Sequence, residues 1–282
     1  MKEDLSISQN FLINSDFVSK LINSIEITTE DTMVDIGAGK GIITEILSRK
    51  AKEVVAIEYD HKLFLKLKNK FSNIPNIKVL NIDFMKYDLP KSDFKVFANP
   101  PFNISADIIN KILKLPNNMK GAYLILQKET VDRFSNGHSQ ISSLWQPFYD
   151  ISVIQRIDKN EFRPTPKVDI VLSKFEKKEM PLVNISDYQL YRDFIIYGFN
   201  QWKPTIVESL QKVFTSEQFK IINKKYNLSH LKPSDLNLDQ WLGLFETFLK
   251  FVPSDKKKIV QGYESTQNNK QKNMIKRHRT NI

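Results

Sequence analysis

An alternation between short apolar runs and helix-spaced segments fills the first half of this chain and leaves few folds open to it. Asn14 to Ile25 carries helical spacing in Phe17, Val18, Leu21, Ile22 and Ile25. Met33–Ile36, Val54–Glu58, Ile77–Asn81, Phe94–Ala98 and Gly121–Leu126 are short and apolar, and read as buried strands. Gly41–Ser48, His61–Phe71, Ser105–Leu115 and Glu129–Phe134 have helical spacing and lie between or after them. Strands joined by helices of this length imply βαβ units, hence a parallel sheet covered on both faces. Two further strand-like runs, Ile151–Arg156 and Val168–Phe175, flank Phe162-Arg163-Pro164-Thr165-Pro166, whose prolines donate no backbone hydrogen bonds.

Near Met180 the pattern changes to helical periodicity alone, predicting helices at about Tyr188–Gly198, Thr205–Val213, Ser216–Tyr226 and Leu238–Phe251. Ser186-Asp187-Tyr188-Gln189 and Thr215-Ser216-Glu217-Gln218 read as capping boxes. Past Pro253 the chain turns polar and basic, which predicts a flexible tail. The expected organisation is a catalytic domain over 1–180, a small helical domain over 181–252 and a basic tail over 253–282. The fold class is α/β, a Rossmann-like sheet followed by a small all-helical domain.

The 282 residues are 41% hydrophobic, enough for a sizeable core, and include no cysteine, so disulfides and thiolate metal sites are excluded. No signal-like apolar core follows Met1, and no uncharged apolar run is long enough to span a bilayer. The expectation is a soluble protein of the cytoplasm. Net charge is +10, of which Asp255–Ile282 supplies +6 from eight Lys or Arg against two acids. Such a chain is drawn to polyanions, nucleic acid among them.

Asp35-Ile36-Gly37-Ala38-Gly39-Lys40-Gly41 lies between a strand and a helix. Glycines there allow a sharp turn and close approach of backbone to a ligand. Glu58 ends the next strand, 21 residues after Gly37, where an acid reaches the two hydroxyls of a ribose. Loop and acid together point to a nucleoside cofactor. The G-x-G-x-G spacing departs from the dinucleotide G-x-G-x-x-G. The preceding Asp35 suits an ammonium, directly or through water, better than a pyrophosphate. These features favour S-adenosylmethionine. Asp83, after the third strand, can accept from the amino group of the cofactor's adenine, and ligands of such sheets bind outside the carboxyl ends of the strands.

Asn99-Pro100-Pro101-Phe102 follows the fourth strand directly. Methylating an aryl amine is hard because the nitrogen lone pair is delocalised into the ring. Hydrogen-bond acceptors on the amino hydrogens favour a tetrahedral nitrogen and stabilise its developing positive charge. Asn99 offers a side-chain carbonyl and Pro100 a backbone carbonyl, on a segment stiffened by two prolines. Phe102 can stack on a base that is unpaired or flipped out. The bland alternative is a proline turn with a core phenylalanine; its place after the fourth strand of a cofactor sheet favours catalysis.

Gln9-Asn10-Phe11-Leu12, the loop at Gly37, Glu58, Asp83, Asn99–Phe102 and Phe162–Asp169 occur in that order. In this the chain resembles the ribosomal RNA adenine N6-dimethyltransferase superfamily from about residue 8 to 251. The resemblance implies that Asn10 and Leu12, with Gly37, Gly39, Glu58, Asp83 and Asn99, line the S-adenosylmethionine site. It also implies that Phe162 helps hold the flipped adenine beside Phe102. Ser143-Leu144-Trp145-Gln146-Pro147-Phe148-Tyr149 and Asp239-Gln240-Trp241 resemble the macrolide–lincosamide–streptogramin resistance class, the Erm class, which modifies 23S rRNA. Asn103-Ile104-Ser105 resembles the housekeeping enzymes that dimethylate 16S rRNA. The expectation is 23S rRNA as the partner ahead of 16S, no membrane, no obligate protein partner and a monomer.

A noncatalytic nucleic-acid-binding protein would show an eroded loop or tetrapeptide, and neither is eroded. A DNA adenine methyltransferase shares the tetrapeptide, but Gln9–Leu12 and the helical domain argue against it. His61, His138, His230 and His278 have no metal-ligand spacing, and no metal is expected. Trp202 and Trp241 read as core anchors. Lys203, Lys212, Lys224 and Lys225 read as solvated faces.

Overall fold

The structure is a computed structural model that describes residues 10–270. Gln9, Lys272, Lys276, Arg277, His278 and Arg279, on which parts of the sequence reading rest, lie outside the described residues. The chain forms two compact units. The first takes the chain to Asp132 together with Asp150–Lys177, and the second takes Arg133–Tyr149 with the chain from Lys178 onward.

The first unit opens with β1 (Phe11–Leu12) and α1 (Ser15–Asn23), whose first turn is capped by Asn14 Oδ1 accepting from Asp16 N and Phe17 N. Then come β2 (Thr32–Ile36), α2 (Ile42–Ser48), β3 (Glu53–Glu58), α3 (His61–Lys70), β4 (Ile77–Asn81), β5 (Phe94–Ala98) and α4 (Ser105–Leu113). In chain order β6 (Met119–Gln127), α5 (Lys128–Ser135), α6 (Gln140–Trp145), which belongs to the second unit, β7 (Tyr149–Ile157), β8 (Phe162–Arg163) and β9 (Ile170–Lys177) follow. The main sheet has seven strands in the order β4-β3-β2-β5-β6-β9-β7. β2, β3, β4, β5 and β6 are mutually parallel, and β9 runs antiparallel to β6. β2, β3, β5 and β6 are buried almost throughout, as a sheet covered on both faces requires.

The strand order turns at β2. Its successors β3 and β4 lie on one side and β5 on the other. β2 stays in register with β3 to Ile36↔Ile57 but with β5 only to Val34↔Val96. Beyond that pair the carboxyl ends of β2 and β5 part and leave a crevice, the place where sheets of this kind bind ligands. A separate two-stranded ribbon pairs β1 with β8 in the register Phe11↔Arg163 and Leu12↔Phe162. One hydrophobic cluster joins Leu12, Val18, Leu21, Phe97, Ile125 and Phe162.

The second unit contains α6 and α7 (Tyr188–Phe199), α8 (Ile206–Ser209), α9 (Ser216–Tyr226), α10 (Leu238–Phe251) and α11 (Ser254–Lys257). Its core is aromatic. The Phe194 ring lies 4.9 Å from Phe248, 5.6 Å from Phe245 and 6.2 Å from Trp241. Such edge-on and tilted pairs add to area burial because ring edges and faces carry opposite partial charge. Thr205, Thr215 and Asn237 each close a capping box with the residue three places on.

Several sequence expectations change here. The box read at Ser186 is absent: Asn184 caps the turn, and Gln189 Nε2 donates to Asp193 and Glu264 instead. The helix expected over Thr205–Val213 ends at Ser209. Arg133–Tyr149 belongs with the helical unit rather than with residues 1–180, because Trp145, Phe148 and Tyr149 are buried there. The Phe148 ring meets Tyr188 at 5.1 Å, and the Arg192 guanidinium lies 4.6 Å from the Trp145 ring.

Residues 253–270 do not form a tail. After α11, Val260 is fully buried and 263–270 are helical. Arg192 donates to Glu264 through Nε and Nη2, the latter at 2.6 Å, while Asp193 accepts from Gly262 N and Glu264 N. Trp241 is fully buried as expected, whereas Trp202 is 95% exposed.

Candidate active site

Gly37, Gly39 and Gly41 all hold positive φ, at 74°, 57° and 78°, a backbone region that side chains resist. The turn is clamped at its start, where Gly37 N and Ala38 N both donate to Ile57 O. Gly39 also needs its missing Cβ for space: an added carbon would meet the Phe11 ring at 3.1 Å. The Lys40 ammonium sits 5.3 Å from the centre of the same ring. The β1 ribbon therefore closes down on the glycine loop.

Glu58, at the end of β3, is 3% exposed. Its Oε2 accepts from Gly39 N and its Oε1 from Asp60 N, both at 2.8 Å. Burial pushes its pKa up, and the two backbone donors pull it back. Each carboxylate oxygen has two acceptor sites, so the group still has capacity for two ribose hydroxyls.

Asp35 departs from expectation. It has no exposed surface and does not line the cleft. Oδ2 accepts from Thr44 Oγ1 at 2.6 Å, and Oδ1 has no hydrogen-bond partner among the described residues. Burial lifts its pKa to about 7; the Thr44 hydrogen bond lowers it and the nearby Glu58 charge adds to the rise. Direct contact between Asp35 and an ammonium is closed by this burial.

Asn99 leaves β5 at the crevice. Its Nδ2 donates to Asn10 O at 2.8 Å. A backbone carbonyl only accepts, so this bond fixes which end of the amide faces β1. Oδ1 is left facing away with no hydrogen bond among the described residues, an acceptor held for a donor from outside. Pro100 is buried, while Pro101 and Phe102 are half-buried. A short turn over Phe102–Ile104 and the bond from Ser105 Oγ to Phe102 O lead straight into α4.

Asn10, Phe11, Leu12, Gly37, Gly39 and Glu58 thus line one cleft with Asn99, Pro100, Pro101 and Phe102, open to solvent. Asp83 and Phe162 do not line it. Asp83 caps the turn after β4 by accepting from Met85 N at 2.9 Å. Lys111, which the sequence reading missed, ties that turn down by donating to Phe84 O and Tyr87 O, both at 2.6 Å. No local signal marks it, because its partners lie more than 20 residues away. Phe162 has no exposed surface and packs in the core. Its backbone pairs with Leu12 in the β1–β8 ribbon, behind the cleft residues Asn10, Phe11 and Leu12. Among the described residues no group of His, Asp and Glu is placed to hold a metal ion, and no helix is long and apolar enough to cross a membrane.

The family described as "Ribosomal RNA adenine dimethylase" matches residues 2–250. The chain belongs to this family. It is 31% identical over 254 residues to the rRNA adenine N-6-methyltransferase of Lysinibacillus sphaericus, covering 89% of this chain and 98% of that one. It is 34% identical over 239 residues to the Ribosomal RNA small subunit methyltransferase A of Mycoplasmopsis pulmonis, covering 83% and 92%. In fold it is similar to the 23S rRNA methyltransferase ErmE, with TM-score 0.75, 23% identity and coverage of 86% and 100%. A dimethyladenosine transferase from Plasmodium falciparum gives TM-score 0.69 at 23% identity, covering 85% and 98%. The chain is an rRNA adenine-N6 methyltransferase, and family and fold imply S-adenosylmethionine as the methyl donor.

Proposed function

We propose that this enzyme methylates N6 of one specific adenine in 23S rRNA and thereby confers resistance to macrolide-type antibiotics. The observation behind the chemistry is Asn99, whose Nδ2 is held by Asn10 O and whose Oδ1 has no hydrogen bond among the described residues, in the same cleft as Glu58 and the glycine loop. What favours 23S is the Ser143–Tyr149 stretch, which resembles the Erm class and supplies the buried Trp145, Phe148 and Tyr149 of the helical unit.

S-adenosylmethionine supplies an electrophilic methyl group when bound. The cleft's residues fit it. Glu58 accepts from the ribose hydroxyls, Gly37 and Gly39 bring backbone close, and Asn10 and Leu12 border the methionine end. Asp83, which caps the turn through Oδ1 alone, accepts from the adenine amino group with its other oxygen. Asn99 Oδ1 and the Pro100 carbonyl accept from the target amine, drawing its lone pair out of the ring. Phe102 stacks on the base. The helical unit binds RNA, and the protein works as a monomer in the cytoplasm.

The second reading is the housekeeping one, dimethylation of 16S rRNA. Asn103-Ile104-Ser105 and the 34% identity to a small-subunit methyltransferase favour it. Labelled methyl transfer to naked 23S and 16S rRNA, and to each ribosomal subunit, separates the two. One labelled adenine in naked 23S supports the resistance reading. Label confined to 16S in small subunits overturns it.

A further inference from the structure

Trp202 is the residue the fold treats most unexpectedly. Its side chain is 95% exposed, and among the described residues it makes no hydrogen bond or ring contact. Its φ is +54°, a region bulky residues rarely occupy. Such strain persists only where the surroundings enforce it, and here they do on both sides. Asn200 Nδ2 donates to Gln140 Oε1 and Ile196 O, and Gln201 Nε2 donates to Tyr197 O and the Tyr263 hydroxyl. Downstream, Thr205 closes a capping box with Glu208, and Ile206 N donates to Leu231 O. A two-sided anchor that leaves the largest side chain outside is a built presentation, not a loose loop.

Exposed lysines lie on the same segment. Lys203 is exposed with no ion-pair partner among the described residues. The Ile206–Leu231 bond brings Lys232, also exposed, to the end of the same segment. The described part of the helical unit carries +4, from 14 Lys or Arg against 10 Asp or Glu. An exposed indole followed directly by an exposed lysine fits an unpaired nucleobase and its phosphate.

We propose that Trp202 is a stacking platform for an unpaired base of the RNA substrate, with Lys203 meeting an adjacent phosphate. This deepens the proposed function in that it rests on RNA being the substrate, but not on which rRNA it is. Stacking of a base on an aromatic ring is worth about 5- to 150-fold in affinity. The other two tryptophans, Trp145 and Trp241, are 1% and 0% exposed, so collisional quenching by acrylamide reads Trp202.

The test compares the full chain with W202A and W202F for binding to naked 23S and 16S rRNA, for methyl transfer, and for acrylamide quenching with and without RNA. The expected result is that RNA shields the fluorescence. W202A raises the Kd and KM for RNA about 5- to 150-fold, leaving kcat at saturating RNA and cofactor affinity unchanged, and W202F recovers most of the loss. W202A matching wild type in RNA affinity, with Trp202 still quenched in the complex, would overturn it. Shielding by whole subunits but not by naked RNA would also overturn it, in favour of a ribosomal protein contact. If 16S is the RNA methylated and W202A raises the KM for 16S, the 23S reading falls and this one stands.

Discussion

Asp35 and Glu58 of the sheet unit and Asp193 of the helical unit are buried carboxylates, and Glu264 is a partly buried one, but their partners differ in kind. Glu58 takes one backbone donor on each oxygen, and Asp35 takes a single hydroxyl. Neither meets a cation, and burial pushes both pKa values up. In the helical unit Glu264 receives Arg192 through two nitrogens, and Asp193 receives two backbone N–H groups from the turn after α11. Glu58, at the open end of the parallel sheet, keeps unspent acceptor sites for a ligand, whereas Asp35 is sealed away from the cleft. The carboxylates of the helical unit are consumed in fastening the chain's end to α7.

The largest effect that would sharpen this contrast is on the reaction itself. Asn99→Ala removes an oriented cleft acceptor that has no hydrogen bond among the described residues. Loss of such a preorganised group costs about 100- to 1,000-fold in kcat. Single-turnover labelling together with thermal melting checks it, and the melting temperature is expected to stay near wild type.

Arg192→Met should do the reverse. It leaves Glu264 without its cation in a partly buried place and is expected to cost about 3 kcal/mol of stability. Urea unfolding would show it. Cofactor affinity, measured on the folded variant, should not change, and a large change would end the view that the two sets of carboxylates have separate uses.

Gly39→Ala places a methyl where the Phe11 ring stands 3.1 Å away, on a backbone at φ +57°. The strain is about 1–2 kcal/mol, and the KM for S-adenosylmethionine should rise because the β1 ribbon must move. Equal KM values for the two proteins would show that the ribbon does not border the cofactor.

The smallest effect is a pH dependence. Asp35 holds its proton up to about pH 7 in the fold, against 3.8 for an ordinary carboxyl. The native state therefore binds more protons than the unfolded chain between these values. The resulting stability is complete below 3.8 and is lost as pH rises through about 7. Between pH 6 and pH 8 wild type should lose about 1 kcal/mol that Asp35→Asn does not lose. Parallel melting curves for the two proteins across that range would contradict the burial of this group.

The sequence by itself determined the order of strands and helices, the turn at Gly37, the acid at Glu58 and the place of Asn99 after β5. Each depends on neighbours within a few residues or on a strand ending at a known offset. Ile77–Asn81, Phe94–Ala98, Ser216–Tyr226 and Leu238–Phe251 are read from the chain with the ends the structure gives them. Thr215 caps its helix as its spacing with Gln218 says. Only the tertiary structure decided which polar and aromatic groups meet water. Phe162 is sealed by its pairing with Leu12, 150 residues earlier, and Asp35 by Thr44 on the helix above it. Arg133–Tyr149 and residues 253–270 join the helical unit through Arg192, Asp193 and the aromatic cluster of α7. Trp202 and Trp241 look alike in sequence, yet one is 95% exposed and the other 0%. Burial is a property of distant partners. Periodicity fixes which face of an element is apolar, but not what that face, or the loop beyond it, finally packs against.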